Sequence, residues 1–599
     1  MLKELAYPFD AEYILKKKKS IKKALTALPS ERLKKKVAIL GGSTTNDIRL
    51  MLELFLLDYG IEPEFYESEY NQYYEDAMFP NEALEQFQPD IIYIHTSIRN
   101  IAVFPKVSDS EETVDIIFKN ELERYTGIWE HLEQKYHCPI IQNNFELPGY
   151  RLLGNRDAYD IHGKVYFISR LNMAFSRYAM SHCSFYINDI HYLSASYGLD
   201  KWSNPFYWHM YKYACAVPAI PYLAFNVANI IKSIYGKNKK GFVLDLDNTM
   251  WGGIIGDDGV DNISIGMETS VGQAYYEFQK YLKEHSQMGV VLNINSKNEY
   301  KSAIEGLNRP DSVLSVDDFV VIKANWNNKD TNFKQIADEL NVLPESLVFI
   351  DDNPVEREIV ISSFPGVSAP VIGDVENYIS VIDKSGFFET TNFSNDDLKR
   401  TEMYRENKMR AQQQATFTSY NEYLLSLDMH AVIKPFEDIY LSRITQLINK
   451  SNQFNLTTKR YSQTEVQEIA KNASYYTLYG KLQDKFGDNG VVSVVICKKV
   501  PQELQIELWL MSCRVLKRDM EYAMMDEIIA YCLREKIRTI RGYYYPTAKN
   551  AMVKDFYRLQ GFTKVSENEN GNSEWMLDVS GCIGKKNKVI AVTNEMMSV

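Results

Sequence analysis

None of the seven cysteines (Cys138, Cys183, Cys215, Cys497, Cys513, Cys532 and Cys582) forms a C-x-x-C pair, and their number is odd. That excludes a zinc ribbon and a disulfide framework and points to a reduced, cytoplasmic protein. An apolar leader is also missing. The first residues carry Glu4, Asp10 and Glu12 and then Lys16 to Lys19, which is not a signal peptide. No hydrophobic run is long and clean enough for a membrane span. The most apolar stretch, 215–231, is interrupted by Pro218, Pro221, Asn226 and Asn229 and reads as a buried segment. Positive charge is in deficit: 67 basic against 79 acidic side chains leave −12. Nucleic-acid binding by bulk charge is thereby disfavoured, whereas phosphate ligands need only local positive groups. Repeats and low-complexity tracts are absent. What remains is ordinary globular composition, 45% hydrophobic and 24% charged over 599 residues. At roughly 100–200 residues per domain that is about three to five domains.

Residues 1–36 read as helical and basic, a solvated face. Strands expected at 37–40, 91–95 and 140–142 each run into a polar loop, and a helix is expected over 48–57. That alternation predicts a parallel α/β sheet, whose sites lie at the carboxyl ends of its strands. A lysine-rich linker at 237–240 opens a second α/β unit with strands at 241–246, 289–294, 319–322 and 346–350. Residues 394–427 read as helix. From about 430 the pattern changes to strands at 475–481, 490–498, 504–511 and 537–544 around a helix at 520–536, an α+β unit. The expected domains are 1–236, 237–385, a helical linker 386–429, and 430–599.

The middle unit carries the chemistry. Its first strand delivers Asp245 and Asp247 into a loop that continues Asn248-Thr249-Met250-Trp251-Gly252-Gly253. The next ends at Asn295-Ser296-Lys297-Asn298. Lys329 precedes a helix, and the last strand ends at Asp351-Asp352-Asn353-Pro354, with Glu356 just beyond. Parallel strands bring these ends together. Crowded carboxylates repel unless a cation neutralises them, and all-oxygen ligands suit Mg²⁺. A hydroxyl and an ammonium beside such a cation are what a phosphoryl group needs.

These residues resemble the haloacid dehalogenase (HAD) superfamily and, within it, FkbH-like proteins. LDLDNTMWGGIIGDDG (244–259), NW-x-x-K ending at Lys329, and FIDDNPVERE (349–358) carry the likeness. RITQLINKSNQFNLTTKRY (443–461), FGDNG (486–490) and LMSCRVLKR (510–518) extend it. The resemblance implies a HAD-type Rossmannoid parallel sheet in which Asp245 is the nucleophile, forming an aspartyl-phosphate, and Asp247 the acid/base. Ser296 and Lys329 would hold phosphoryl oxygens, and Asn248, Thr249 and Lys297 would contact substrate. Mg²⁺ would be held by Asp245, Asp247 (through its carbonyl), Asp351 and Asp352, with Trp251, Gly252 and Gly253 shaping access.

On the amino-terminal side, Gly42-Ser43 after a strand resembles the nucleophile turn of SGNH-type hydrolases. Asn100 and Asn144 would be oxyanion donors, and Asp189 with His191 or His209 the base. Gly replaces Asp before Ser43 and the Asp/His spacing is irregular, which favours a structural or binding role. On the carboxyl-terminal side the pattern resembles the GNAT acyltransferase fold. Its phosphate-cradling R-x-x-G-x-G turn here reads Arg514 to Asp519, with Lys517 and Asp519 in the glycine positions, against acetyl-CoA binding. Cys513, beside Arg514, is the candidate acyl thiol.

The fold expected is thus α/β multidomain: an SGNH-like α/β domain, the HAD-type sheet and an α+β GNAT-like domain. The leading functional reading is Mg²⁺-dependent phosphoryl chemistry on a phosphorylated small molecule, coupled to glyceryl transfer to an acyl carrier protein in polyketide or surface-polysaccharide assembly. The alternatives are a simple small-molecule phosphatase and a non-catalytic phosphate-sensing assembly protein.

Overall fold

The computed structural model describes residues 2–28, 32–391, 393–582 and 585–593. Residues 1 and 29–31 of the expected basic helical segment, 392 of the linker and 583–584 and 594–599 of the last domain lie outside them. The chain forms two compact units, residues 1–234 with 462–465, and 235–461 with 466–599. The first break falls at 234, against 236 expected. The three pieces expected beyond it form one unit.

In the first unit, helix Ala11–Ala27 begins at Asp10, whose carboxylate accepts from Tyr13 N. Its lysines are not all solvated: Lys18 and Lys22 reach Asp47 and Glu53 at 2.8 and 2.7 Å. Five parallel strands follow: β1 (Leu33–Gly41), β2 (Ile61–Glu67), β3 (Ile91–His95), β4 (Ile140–Asn143) and β5 (Phe185–Asn188), in the order β2-β1-β3-β4-β5. β3 and β4 are buried at every residue, as an apolar run covered on both faces must be. The segment 217–234 is long and apolar enough to cross a membrane, but 78% of it is buried inside the structure.

The second unit contains two sheets. β6 (Gly241–Leu244), β7 (Val291–Ser296), β8 (Phe319–Ala324) and β9 (Leu347–Ile350) are all parallel in the order β8-β7-β6-β9. Both faces are covered. Phe242, Leu244, Leu292 and Val348 enter one apolar cluster, and Val243, Val291, Val321 and Phe349 the other.

The other sheet comprises β10 (Met429–Lys434), β11 (Phe454–Asn455), β12 (Tyr475–Asp484), β13 (Gly487–Val500), β14 (Glu503–Met511), β15 (Thr539–Tyr544), β16 (Thr563–Glu567), β17 (Ser573–Asp578) and β18 (Ile590–Thr593). β12, β13 and β14 pair antiparallel, and β14 pairs parallel with β15 over Glu503–Ile506 only. β11 occupies the far end of β14 at Leu510 and Met511. Helix Met520–Arg534 covers one face.

Helix Arg400–Gln414 is tied to this sheet by a buried charge network. Arg410, 1% exposed, makes a bidentate contact with Asp484 at 2.8 and 2.7 Å and reaches Glu406 at 3.2 Å. Arg518 adds a third contact to Asp484 at 3.2 Å. Removing one member leaves the others buried and uncompensated, which costs about 3–5 kcal/mol. Arg410→Ala should therefore lower the unfolding free energy of the second unit by that order, measured by urea titration. A change below about 1 kcal/mol would mean that water replaces the guanidinium.

Candidate active site

The carboxyl ends of β6, β7 and β9 converge on one acidic crevice. Asp245 follows β6 directly, and its backbone N–H bonds Ile350 O at 2.9 Å, so the two acidic strand ends are locked in register. Oxygens of Asp245, Asp351 and Asp352 all lie within 4.8 Å of one another. Asp351 is fully buried, Asp245 is 8% exposed and Asp352 is half-buried, so the crevice opens on the Asp352 side.

Lys329, at the start of helix Lys329–Glu339, is 2% exposed. Its Nζ lies 2.7 Å from Asp245 Oδ1 and 2.7 Å from Asp351 Oδ2. Burial opposes its charge, but the two carboxylates outweigh it and hold the ammonium above its ordinary value. Burial and the charge of Asp245 push Asp351 up to about 6, against the pull of Lys329, and raise Asp352 by the same two causes. One ammonium thus serves three carboxylates. An all-oxygen set with net negative charge and raised proton affinity fits a hard divalent cation such as Mg²⁺.

The Asp247 carboxylate stands apart from that cluster. Oδ1 accepts from Trp251 Nε1 at 2.9 Å and from Ile255 N at 3.1 Å, and Oδ2 accepts from Asn298 Nδ2 at 2.9 Å. Three donors fix its orientation. Asn298 also donates to Ser296 Oγ at 3.1 Å, linking the β7 hydroxyl to Asp247. Thr249 Oγ1 accepts from Asp352 N at 3.3 Å. Asn248 adopts φ 53° and accepts from Gly253 N on its side chain, closing the loop that carries Trp251.

Lys297, expected as a substrate contact, is paired with Glu356 at 2.6 Å. That pair also removes Glu356 from the acidic set. Arg357 was not anticipated: its Nη1 donates to Asp351 O at 2.7 Å and Asp352 O at 2.8 Å and holds the ligand loop. Its signal lay in the same acidic motif, one turn into helix Pro354–Ser363.

Residues 36–232 match the family model described as FkbH, N-terminal domain. Among solved structures, the chain is similar to the N-terminal part of BF1531 from Bacteroides fragilis, which contains a phosphatase domain and was solved with Mg. Identity is 29%, with 63% of this chain and 99% of that chain covered and a TM-score of 0.58. The ribosomal-protein-S18-alanine N-acetyltransferase from Escherichia coli matches at 12% identity, 26% and 99% coverage and TM-score 0.21. The PaiA N-acetyltransferase from Thermoplasma acidophilum, solved with coenzyme A, matches at 14%, 25% and 98%, with TM-score 0.20. Scores that low carry no argument about activity. No curated protein matches the chain.

Within the matched residues 36–232, Ser43 Oγ is buried without a hydrogen-bond partner, so no base is within hydrogen-bonding reach of it among the described residues. Asn100 Nδ2 donates to Gly42 O at 2.9 Å, and a Cβ at Gly42 would meet that amide at 2.4 Å. Asp189 is spent on Asn144 Nδ2 at 2.7 Å and on capping helix Ile190–Tyr197. His191 Nδ1 lies 3.3 Å from Phe145 O. In the C-terminal sheet region, Lys517 and Asp519 have φ 65° and 61°. The backbone keeps the left-handed form that glycine favours, while the side chains occupy the space glycine would leave.

The raised Asp351 value sets a pH dependence. Its contribution to stability is fully present below the ordinary carboxylate range of about 4 and is lost as pH rises through about 6. A bound divalent cation offsets that loss. Mg²⁺ should therefore raise the thermal midpoint near neutral pH, the rise should shrink as pH falls through about 6, and Asp351→Asn should flatten the dependence. Thermal melts in Mg²⁺ and in chelator across this range check it; a Mg²⁺ effect independent of pH would contradict it.

Proposed function

We propose that the chain is a Mg²⁺-dependent phosphohydrolase acting on a phosphorylated small molecule through an aspartyl-phosphate on Asp245. The observation that carries this reading is the cluster of Asp245, Asp351 and Asp352 bridged by Lys329 at the strand ends. The B. fragilis relative, a phosphatase-domain protein solved with Mg, supports it. Asp245, Asp351 and Asp352 would hold the cation, which when bound neutralises their repulsion and draws phosphoryl oxygens to the crevice.

The rest is the work of the chain's own side chains. Asp245 attacks phosphorus while the P–O bond to the leaving group breaks. Asp247, oriented by Trp251 and Asn298, gives the leaving oxygen its proton and then takes one from the attacking water. Lys329 and Ser296 stabilise the equatorial oxygens. A sensor of phosphate needs no oriented acid/base beside the nucleophile, which disfavours the non-catalytic alternative. The seven free cysteines fit a reducing, cytoplasmic setting.

A second reading couples phosphate release to glyceryl transfer onto a carrier protein through Cys513. It rests on sequence resemblance. Cys513 borders the amino ends of β6 and β9, whereas Asp245 and Asp351 follow their carboxyl ends. Five residue steps at about 3.3 Å separate the two edges by roughly 16 Å, so an acyl group would have to travel between them.

Asp245→Asn should abolish Mg²⁺-dependent phosphate release from an aryl or acyl phosphate; retained activity would rule the mechanism out. Asp247→Asn should slow turnover by about 10²–10⁴-fold while leaving the Mg²⁺-induced thermal shift intact. Cys513→Ser should leave phosphate release unchanged and, under the second reading, remove an acyl adduct seen by intact-protein mass spectrometry with a phosphorylated three-carbon acid.

A further inference from the structure

A cavity of about 90 Å³ lies within the second unit, at the edge of the parallel sheet opposite Asp245. Lys240 and Ser346, which precede β6 and β9, form part of its floor. The wall includes helix Arg400–Gln414, helix Leu441–Lys450 with the residues 451–454 that follow it, and the segments 341–343 and 511–514. Two of the three sequence stretches that extend the FkbH resemblance, 443–461 and 510–518, thus meet here. The third approaches from behind: Gly490 has φ 67°, and a Cβ there would meet Asp396 Oδ2 at 2.5 Å.

Charge is the distinctive property. Six cations line the cavity, namely Lys239, Lys240, Arg400, Arg443, Lys450 and Arg514, against one lining carboxylate, Asp396. Asp396 is already paired with Arg443 at 2.8 Å. Asp397, just behind, is shared by Arg400, by Lys450 at 3.9 Å and by Gln446. Burial and the charges of Arg400, Arg443 and Lys240 hold Lys450 well below its ordinary value. Burial and neighbouring cations likewise bring Arg400 and Arg443 down to about 10. Like charges so confined repel strongly unless an anion sits among them.

We propose that this cavity binds the phosphate group of a soluble phosphate ester, at a site separate from the Asp245 crevice. Three guanidinium groups and three lysine side chains match phosphate oxygens better than they match a single carboxylate. A volume of about 90 Å³ admits a phosphate group. Cys513 lines the same wall, so an occupant shields its thiol.

The test uses the full chain in excess chelator, with pyrophosphate as probe. Alkylation of Cys513 is followed by peptide mass spectrometry, with exposed Cys183 as the internal control. Pyrophosphate should slow Cys513 alkylation at least tenfold, leave Cys183 unchanged, and lose its effect as salt is raised. Calorimetric affinity for pyrophosphate should fall at least tenfold in the Arg443→Ala/Lys450→Ala variant, while hydrolysis of an aryl phosphate in Mg²⁺ is retained. Orthophosphate should protect more weakly than pyrophosphate and more strongly than chloride at matched ionic strength. Unchanged Cys513 reactivity, equal protection by chloride, or undiminished affinity in the double variant would each overturn the proposal. If the double variant fails to fold, the alkylation comparison on the unaltered chain decides.

Discussion

Repulsion among Asp245, Asp351 and Asp352 is the constraint around which the parallel sheet of the second unit is organised. A parallel sheet places the ends of β6 and β9 side by side, and a carboxylate at each end is then brought within a few ångströms of the other. Most of the surrounding polar detail answers that problem. Lys329 sits between two of the carboxylates, Arg357 ties down the carbonyls of the acidic loop, and Asn353 N donates to Asp351 Oδ1 at 2.9 Å. The negative charge that remains suits a hard divalent cation. Asp247 escapes the repulsion because Trp251, Ile255 and Asn298 hold its carboxylate aside.

The opposite edge of the same sheet carries the reverse imbalance. There, cations from the helical connector and the antiparallel sheet outnumber carboxylates. The two edges treat buried charge differently from the Arg410–Asp484–Arg518 network nearby, where opposite charges meet in bidentate geometry. Arg518 comes from the very turn whose glycine positions are filled by Lys517 and Asp519. In this chain that turn anchors helix Arg400–Gln414 to the sheet, a structural use of a loop whose backbone shape suits phosphate binding elsewhere.

The first unit shows a third way of handling buried polarity. Tyr93 OH, His95 Nδ1 and Asn143 lie about the carboxyl ends of β3 and β4 in a closed hydrogen-bonded set, with Asn188 donating to Asn143 Oδ1 at 2.7 Å. Burial pushes His95 down to about 4, so it is neutral at physiological pH and acts as a hydrogen-bonding partner rather than a charge. Ser43 stands outside the set. Among the described residues, these polar strand ends are satisfied by one another.

Strands such as Ile91–His95 and Leu347–Ile350 were legible because an unbroken apolar run bounded by polar loops has one stable place, inside a covered parallel sheet. The acidic loops were legible because their order and strand context specify convergence. β2 was missed: Pro63 and its glutamates suit only an edge strand, a position that local pattern does not reveal. The sequence by itself determined the mixed α/β architecture and that acidic strand ends would lie side by side. Only the tertiary structure decided that Lys297 is consumed by Glu356, that Asp247 faces Trp251 and Asn298, and that basic residues scattered from 239 to 514 surround one cavity. Those outcomes depend on which side chains become neighbours across long stretches of chain, and in a low-dielectric interior that neighbourhood, rather than residue type, sets each charge's partner.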